Sequence, residues 1–422
     1  MLSTLKNAWK IPDLRKKLLY TLWIIVIFRL GAAIPVPGID KAKLAQMFAE
    51  SGEGLIGFFN LMSGGSFKNF TIFALGISPY ITASIIMNLL QIAIPALEEL
   101  SKQGEEGKKK MAQYTRYGTV ALALIQAFGF SFGIFRSAFV NPGMKSIAVS
   151  VITLTAGVAF LMYLGEKITE NGIGNGISLF IFAGIISRIP GGIISTFMKI
   201  QTGDINLLSV ILFIAIAVAV VVGVIFIQEG KRKIPVQYAK RVIGRKMYGG
   251  QSTHIPLKVN QSGVIPVIFA MSLLMFPITV SQFWPQSGFY YFAKNYLNST
   301  SVLYNVLYAI LIMFFAYFYT SVTFNPVEVA KNMKKNGGYI PGIRPGRPTS
   351  EYLSKTLNRL TLAGAVFLAG IAILPNIILA LGTLQIRFGG TALLIAVGVS
   401  LETTKQIESQ MMMRHRKGFL ND

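Results

Sequence analysis

Few residues in this chain could do covalent or metal chemistry. There is no cysteine, and the two histidines are His254 and His415. Thiolate chemistry and disulfides are therefore excluded, and little material is left for a histidine metal site. Both histidines lie in basic segments outside the apolar runs, so no hydroxyl inside such a run has an imidazole base at its own depth, as an intramembrane serine protease requires. The stretch from Gly104 to Lys108 reads GEEGK; it lacks the spacing and the following hydroxyl of a phosphate-binding loop, and reads as a charged turn. The 17 acidic residues avoid the middle of every apolar run, with Glu166, Glu229 and Glu402 all at run ends. A charge at mid-membrane costs about 2.5–3.5 kcal/mol even on a lenient insertion scale and is kept for use. Its absence argues against an ion-coupled carrier and against a voltage sensor. Arg29 and Arg188 lie near run ends, where they snorkel or pair.

What remains is aliphatic and irregular. Ile81 and Ile85 are one helical turn apart, as are Ile177 and Ile181, so each pair puts two branched side chains on one face. A ring of such side chains blocks water and ions by dewetting and deforms around what passes; lipid-facing or packing isoleucines give the same pattern, and spacing alone leaves both readings open. Residues 55–95 are about twice as long as the roughly 20 residues a bilayer needs, yet Ser63, Gly64, Gly65, Ser66, Lys68 and Asn69 interrupt them. The pattern predicts a short half-inserted helix over 55–63, a Gly-Gly bend, a polar patch and a full span over 76–95. Irregular backbone at membrane depth survives only when buried in protein or facing a wet cavity; an ordinary outer loop is the alternative.

The elements that position these residues follow from composition. The chain has 422 residues, 53% hydrophobic and 14% charged, against about 25% charged in soluble domains. It is a polytopic membrane protein. Lys6, Lys10, Arg15, Lys16 and Lys17 precede an apolar run from Leu18 to Ile34. Pro35 and Pro37 behind it, and many further spans, favour an uncleaved first helix over a signal peptide. Further spans are expected at about 76–95, 116–136, 146–165, 177–197, 207–227, 262–282, 303–324, 360–381 and 390–401, ten in all. Ten spans place both termini on one side, and that side carries 30 of the 40 lysines and arginines. The positive-inside rule makes it the cytoplasm, and most of the net charge of +23 is then topology.

Five spans per half make two similar halves inverted relative to each other, an architecture that puts the working site at their interface. Gly76-Ile77-Ser78-Pro79-Tyr80-Ile81 and Gly263-Val264-Ile265-Pro266-Val267-Ile268 open equivalent spans, a short echo of such a repeat. The halves divide at residues 1–200, with spans one to five, and 201–422, with spans six to ten. Two cytoplasmic loops, 228–260 and 325–360, are longer than connection demands. In the second, GIRPGRP over 342–348 sets a stiff turn that holds Arg344 and Arg347 in solvent, suited to an anionic partner or serving topology alone.

The stretches FALGISPYITASII at 73–86, GIGNGIS at 172–178, YAKR at 238–241, QSTHIPLKVN at 251–260, GIRPG at 342–346 and GGTALLI at 389–395 occur in an order and at depths that are specific together. With them the chain resembles the SecY family, the large subunits of bacterial protein-conducting channels, over essentially its whole length. The resemblance implies an all-α polytopic fold of ten transmembrane helices, in two inverted five-helix halves around a central pore, with a half-inserted plug helix. It implies a pore ring of Ile81, Ile85, Ile177, Ile181, Ile268 and Ile395. It implies a plug at about 55–70 centred on Phe58, Phe59, Asn60, Leu61, Met62, Ser63, Gly64 and Gly65, and a lateral gate with Ser84, Asn88, Gln91, Gln126, Ser262 and Ile265. Docking of the SecA motor ATPase or the ribosome falls to Arg241, Arg245, Lys246, Arg344 and Arg347. Lys246 stands where some relatives carry arginine, and a lysine lacks the bidentate fork. The resemblance further implies SecE-like and SecG-like small membrane subunits, signal-sequence-bearing preproteins and membrane lipid as partners, no DNA, no cofactor and no enzymatic step. Two rivals differ in kind: a secondary transporter would show saturable uptake of a small solute, and a passive scaffold would tolerate deletion of 58–66 without a change in permeability.

Overall fold

The computed structural model describes residues 2–50, 60, 63–203, 205–238, 241–243, 246–248, 252–281, 284, 287–298, 301–380 and 390–418. Its helices follow the apolar runs. In chain order they are α1 (Leu2–Lys10), α2 (Pro12–Gly31), α3 (Lys41–Glu50), α4 (Ser78–Ala93), α5 (Pro95–Lys102), α6 (Glu105–Gly129), α7 (Met144–Asn171), α8 (Gly176–Ile186), α9 (Ile189–Gln201) and α10 (Leu207–Glu229). The second part of the chain adds α11 (Ile265–Ser281), α12 (Gly288–Tyr296), α13 (Val302–Thr323), α14 (Pro326–Lys335), α15 (Arg347–Ala380) and α16 (Gly390–Gly418). All ten expected stretches contain a helix. Among the described residues six helical stretches are long and apolar enough to cross a membrane, with α8 and α9 counted as one and α13 and α14 as another; α4 and α5 make a seventh if they count as one bent span, and α11 is a shorter apolar helix.

Helix ends differ from the hydropathy boundaries where charged residues continue the helix. The run expected at 360–381 begins at Arg347, and that expected at 390–401 continues to Gly418, because Glu, Lys, Gln and Arg are good helix formers once out of the membrane. The run expected at 177–197 is two helices, α8 and α9, with Pro190 in the first turn of the second. Pro95 ends α4 rather than lying inside it. Its ring clashes with a helical i−4 carbonyl, the preceding Ile94 is extended (φ −113°, ψ 112°), and α5 leaves at 101° to α4. The chain after α6 continues into a π-helical turn, Phe130–Ile134.

Helices α2, α4, α6, α7 and α8 pack on one another, as do α10, α11, α13, α15 and α16. The two sets touch along two seams: α11 lies against α4 and α6, and α16 lies against α8 and α1. Only Val224 of α10 is buried, so that helix presents apolar surface almost all round, as a lipid-facing span does.

The long loops hold the strands of an otherwise helical protein. Strands β1 (Lys231–Tyr238) and β4 (Ser252–Lys258) pair antiparallel from Lys231↔Lys258 to Gln237↔Ser252. The short β5 (Gly338–Tyr339) joins the other edge of β1 through Gln237↔Tyr339. A hairpin of β2 (Arg241–Ile243) and β3 (Lys246–Tyr248) lies between β1 and β4 in sequence. Ile234, Val236, Leu257, Met333, Ile340 and Leu353 close a small core beneath the sheet, so loops 228–260 and 325–360 form one platform.

Candidate functional site

The six isoleucines come from four helices: Ile81 and Ile85 from α4, Ile177 and Ile181 from α8, Ile268 from α11 and Ile395 from α16. All six belong to one apolar cluster, Ile177 at its edge, and the other five are between 1% and 6% exposed. Two of the helices belong to the first set and two to the second, so the cluster sits where the sets meet. Aliphatic side chains offer water or an ion no partner, and they can part around a guest without breaking a hydrogen bond. α8 is positioned by Asn175, whose Oδ1 accepts from the N–H groups of Ile177 (3.1 Å) and Ser178 (3.3 Å), an N-cap immediately before the first isoleucine.

The interrupted stretch folds into a hydrogen-bonded turn, in which the buried Ser66 Oγ is left without a partner among the described residues. The buried Asn60 accepts from Gly65 N through its carbonyl (2.8 Å) and from Lys68 N through Oδ1 (3.1 Å). Ser63 Oγ accepts from Phe67 N at 2.9 Å. Gly64 and Gly65 have φ of +63° and +94°, a region open to glycine. A Cβ on Gly64 would lie 2.7 Å from Gly184 Cα of α8. Arg29, at the end of α2, donates from Nη1 to Gly64 O at 3.2 Å; the sequence had it snorkelling or pairing, and its partner is a backbone carbonyl. Beyond the turn, Phe67 and Phe70 are buried against Phe130 and Phe135, with ring centroids 4.2–5.3 Å apart. Of the residues expected in a plug, Phe58, Phe59, Leu61 and Met62 lie outside the described residues, as does most of the expected helix at 55–63.

The residues expected at the gate lie on, or just before, the helices of the first seam. Ser84, Asn88 and Gln91 are half-buried on α4, Gln126 is buried on α6, and Ser262 is buried and Ile265 half-buried where α11 begins. Ser262 Oγ donates to Asn260 Oδ1 (3.3 Å), while Asn260 Nδ2 donates to Gly263 O (2.9 Å). On α6 and α11 two buried polar atoms have no partner among the described residues, Gln126 Oε1 and Ser272 Oγ. Ser272 was not singled out from sequence; the only signal was a hydroxyl inside the apolar run 265–278.

On the platform, Arg344 occupies a pinned turn: Ile343 N donates to Ile340 O (3.0 Å), Thr349 Oγ1 donates to Arg344 O (2.8 Å), and Gly342 and Gly346 take φ of +79° and +104°. Arg344 is exposed and has no acidic partner among the described residues. Arg347 is exposed as well, and its Nε donates to Glu351 Oε1 at 2.9 Å, so part of its charge is already matched. Beside them a groove of about 870 Å³ runs between α14 and α15, lined by Lys331, Lys334, Arg347, Lys355 and Arg359 with Glu351. Arg241 and Lys246 lie in β2 and β3, their side chains outside the described residues together with all of Arg245.

The fold and site define an all-α, multi-pass membrane protein whose two helix sets close on an apolar junction, flanked by a hydrogen-bonded turn and a basic platform. The SecY family model matches residues 71–404. A curated relative from Halalkalibacterium halodurans, a protein translocase subunit SecY, is 48% identical over 437 residues and covers 100% of both chains. The chain belongs to the SecY family. Its fold is shared with a solved SecY structure described by its plug domain (TM-score 0.70, 22% identity, 96% of both chains covered). It is shared also with Sec61 in the canine ribosome–channel complex (TM-score 0.63, 22% identity, 96% of both chains).

Proposed function

We propose that this protein is the pore-forming subunit of a protein-conducting channel. It passes unfolded preproteins across the cytoplasmic membrane and releases transmembrane segments sideways into lipid, with the push supplied by an external motor ATPase or the ribosome. The observation that supports this reading is that Ile81, Ile85, Ile177, Ile181, Ile268 and Ile395, from four helices and both helix sets, belong to one apolar cluster, Ile177 at its edge. A seal built this way depends on packing around the guest rather than on binding it, as sequence-independent transport requires.

In this reading the ten helices form inverted halves, 1–200 and 201–422, with both termini in the cytoplasm. The turn at 60–65 belongs to a plug over the junction, and the seam of α11 against α4 and α6 is the lateral gate. The relative named above is a translocase subunit, and one fold neighbour is a ribosome–channel complex. These support SecE-like and SecG-like subunits, the SecA motor and the ribosome as partners, with Arg344 on the platform as the freest docking charge. A signal sequence opens the gate only as far as its preference for the open state allows.

The absence of native cysteine makes the test clean. A single Cys at Ile85 and one in a preprotein stalled halfway through export should form a disulfide on oxidation, and only with the stalled substrate. No crosslink at Ile85, with equal crosslinking at a lipid-facing control, overturns the pore assignment.

A further inference from the structure

The four-residue connection 172–175, with Gly176 at the start of α8, has no slack. Ile173 N donates to Thr21 Oγ1 of α2 (3.1 Å), Gly174 N to Gln406 Oε1 of α16 (2.9 Å) and Gly176 N to Thr169 Oγ1 of α7 (3.0 Å). Asn175 meanwhile caps α8. A Cβ on Gly172 would come within 2.5 Å of Thr21 Oγ1 and one on Gly176 within 2.0 Å of Gly165 O, so the backbone is packed as well as bonded. Of the four side chains that hold it, only Gln406 belongs to the second helix set. Next to it Ile407 is buried with Ile173, Leu14 and Ala8 in one apolar cluster, which fixes the direction from which Gln406 reaches in.

Both ends of this bond lead to the junction. One residue past the held glycines, α8 presents Ile177 and, a turn later, Ile181. On α16, Ile395 precedes Gln406 by eleven residues, about three turns at 3.6 residues each, so the two share a face. The bond therefore joins α8 and α16 at a fixed point, about 16 Å along the helix from Ile395 at 1.5 Å per residue. We infer that Gln406 is a positioning residue: through Gly174 N it sets the height of Ile395 against Ile177 and Ile181, and so the tightness of the seal. This deepens the channel reading and rests on it.

The test uses the intact channel complex with Gln406→Met, which keeps length but loses the acceptor, and Gln406→Glu, which keeps an acceptor oxygen. Spin labels at Ile186→Cys and Glu402→Cys, both exposed, report the register of α8 against α16, and planar-bilayer conductance reports the seal. Gln406→Met should shift or broaden the label distance by about one residue rise, ~1.5 Å, and raise resting conductance roughly ten-fold, the scale on which loss of one hydrogen bond acts. Gln406→Glu should restore both. Wild-type distance and conductance in Gln406→Met overturn the inference, as does a leak without a distance change. If Ile395→Asn leaks while Gln406→Met shifts the distance without leaking, the bond sets register and its role in the seal is overturned. If neither variant leaks, the isoleucine ring itself is wrong, and the distance readout still decides whether Gln406 sets the register.

Discussion

The guanidinium of Arg29 donates to the carbonyl oxygen of Gly64 at 3.2 Å, joining the end of α2 to the turn that interrupts the membrane sequence. A hydrogen bond from a charged donor contributes about 1.5–3 kcal/mol. In Arg29→Met the turn should leave its seat more often, by roughly ten-fold or more at ~1.4 kcal/mol per decade. Resting ion conductance should rise with membrane insertion of the protein unchanged. Conductance at the wild-type level would remove Arg29 from the seal.

Gly64 is the tighter constraint on the same turn. Its φ of +63°, and the 2.7 Å that would separate a Cβ there from Gly184 Cα, leave no room for a side chain. Gly64→Val should displace the turn and leak more than Arg29→Met. Gly65→Ala, where a Cβ meets nothing within 4 Å, should have the smaller effect. Equal leakage from the two glycine variants would show that packing on α8 is not what seats the turn.

Ile395→Asn and Ile81→Asn place a hydrogen-bonding group in a cluster where the native residues are 1% and 4% exposed. Burying an unpartnered amide costs about 1–3 kcal/mol, and water is its cheapest partner. Both variants should conduct ions at rest and accept preproteins with weakened signal sequences. An unchanged conductance would count against the ring.

Arg344→Glu should impair motor-driven export strongly while the channel inserts normally. Arg347→Glu should impair it less, because Arg347 already shares its charge with Glu351. Export assays on the two variants, scored against each other, separate a docking role for the turn from a general need for positive charge. Undiminished export in Arg344→Glu would take the turn out of the docking surface.

Much of the architecture is legible in the sequence. Apolar runs, proline positions and the bias of lysine and arginine locate the helices, since a bilayer tolerates few alternatives to them; the missing mid-span charge narrows the function. The small sheet is harder to see. Ile234 and Val236 alternate with exposed neighbours in β1, the period of a strand, but Pro235 between them argues against one. The pairing that makes the strand stable comes from β4 and from β5, the latter about a hundred residues away.

The sequence alone carries the inventory: which segments are apolar, where they break, and that cysteine is lacking. The tertiary structure brings Ile81, Ile177, Ile268 and Ile395 into one apolar cluster, although most of the chain separates them and spacing cannot tell a packed face from a lipid face. It decided too that Arg29 holds a carbonyl rather than reaching to the interface, and that Gln406 accepts from Gly174. Hydrogen bonds between distant segments follow from the relative placement of whole helices, and that placement is set by close packing of many side chains at once.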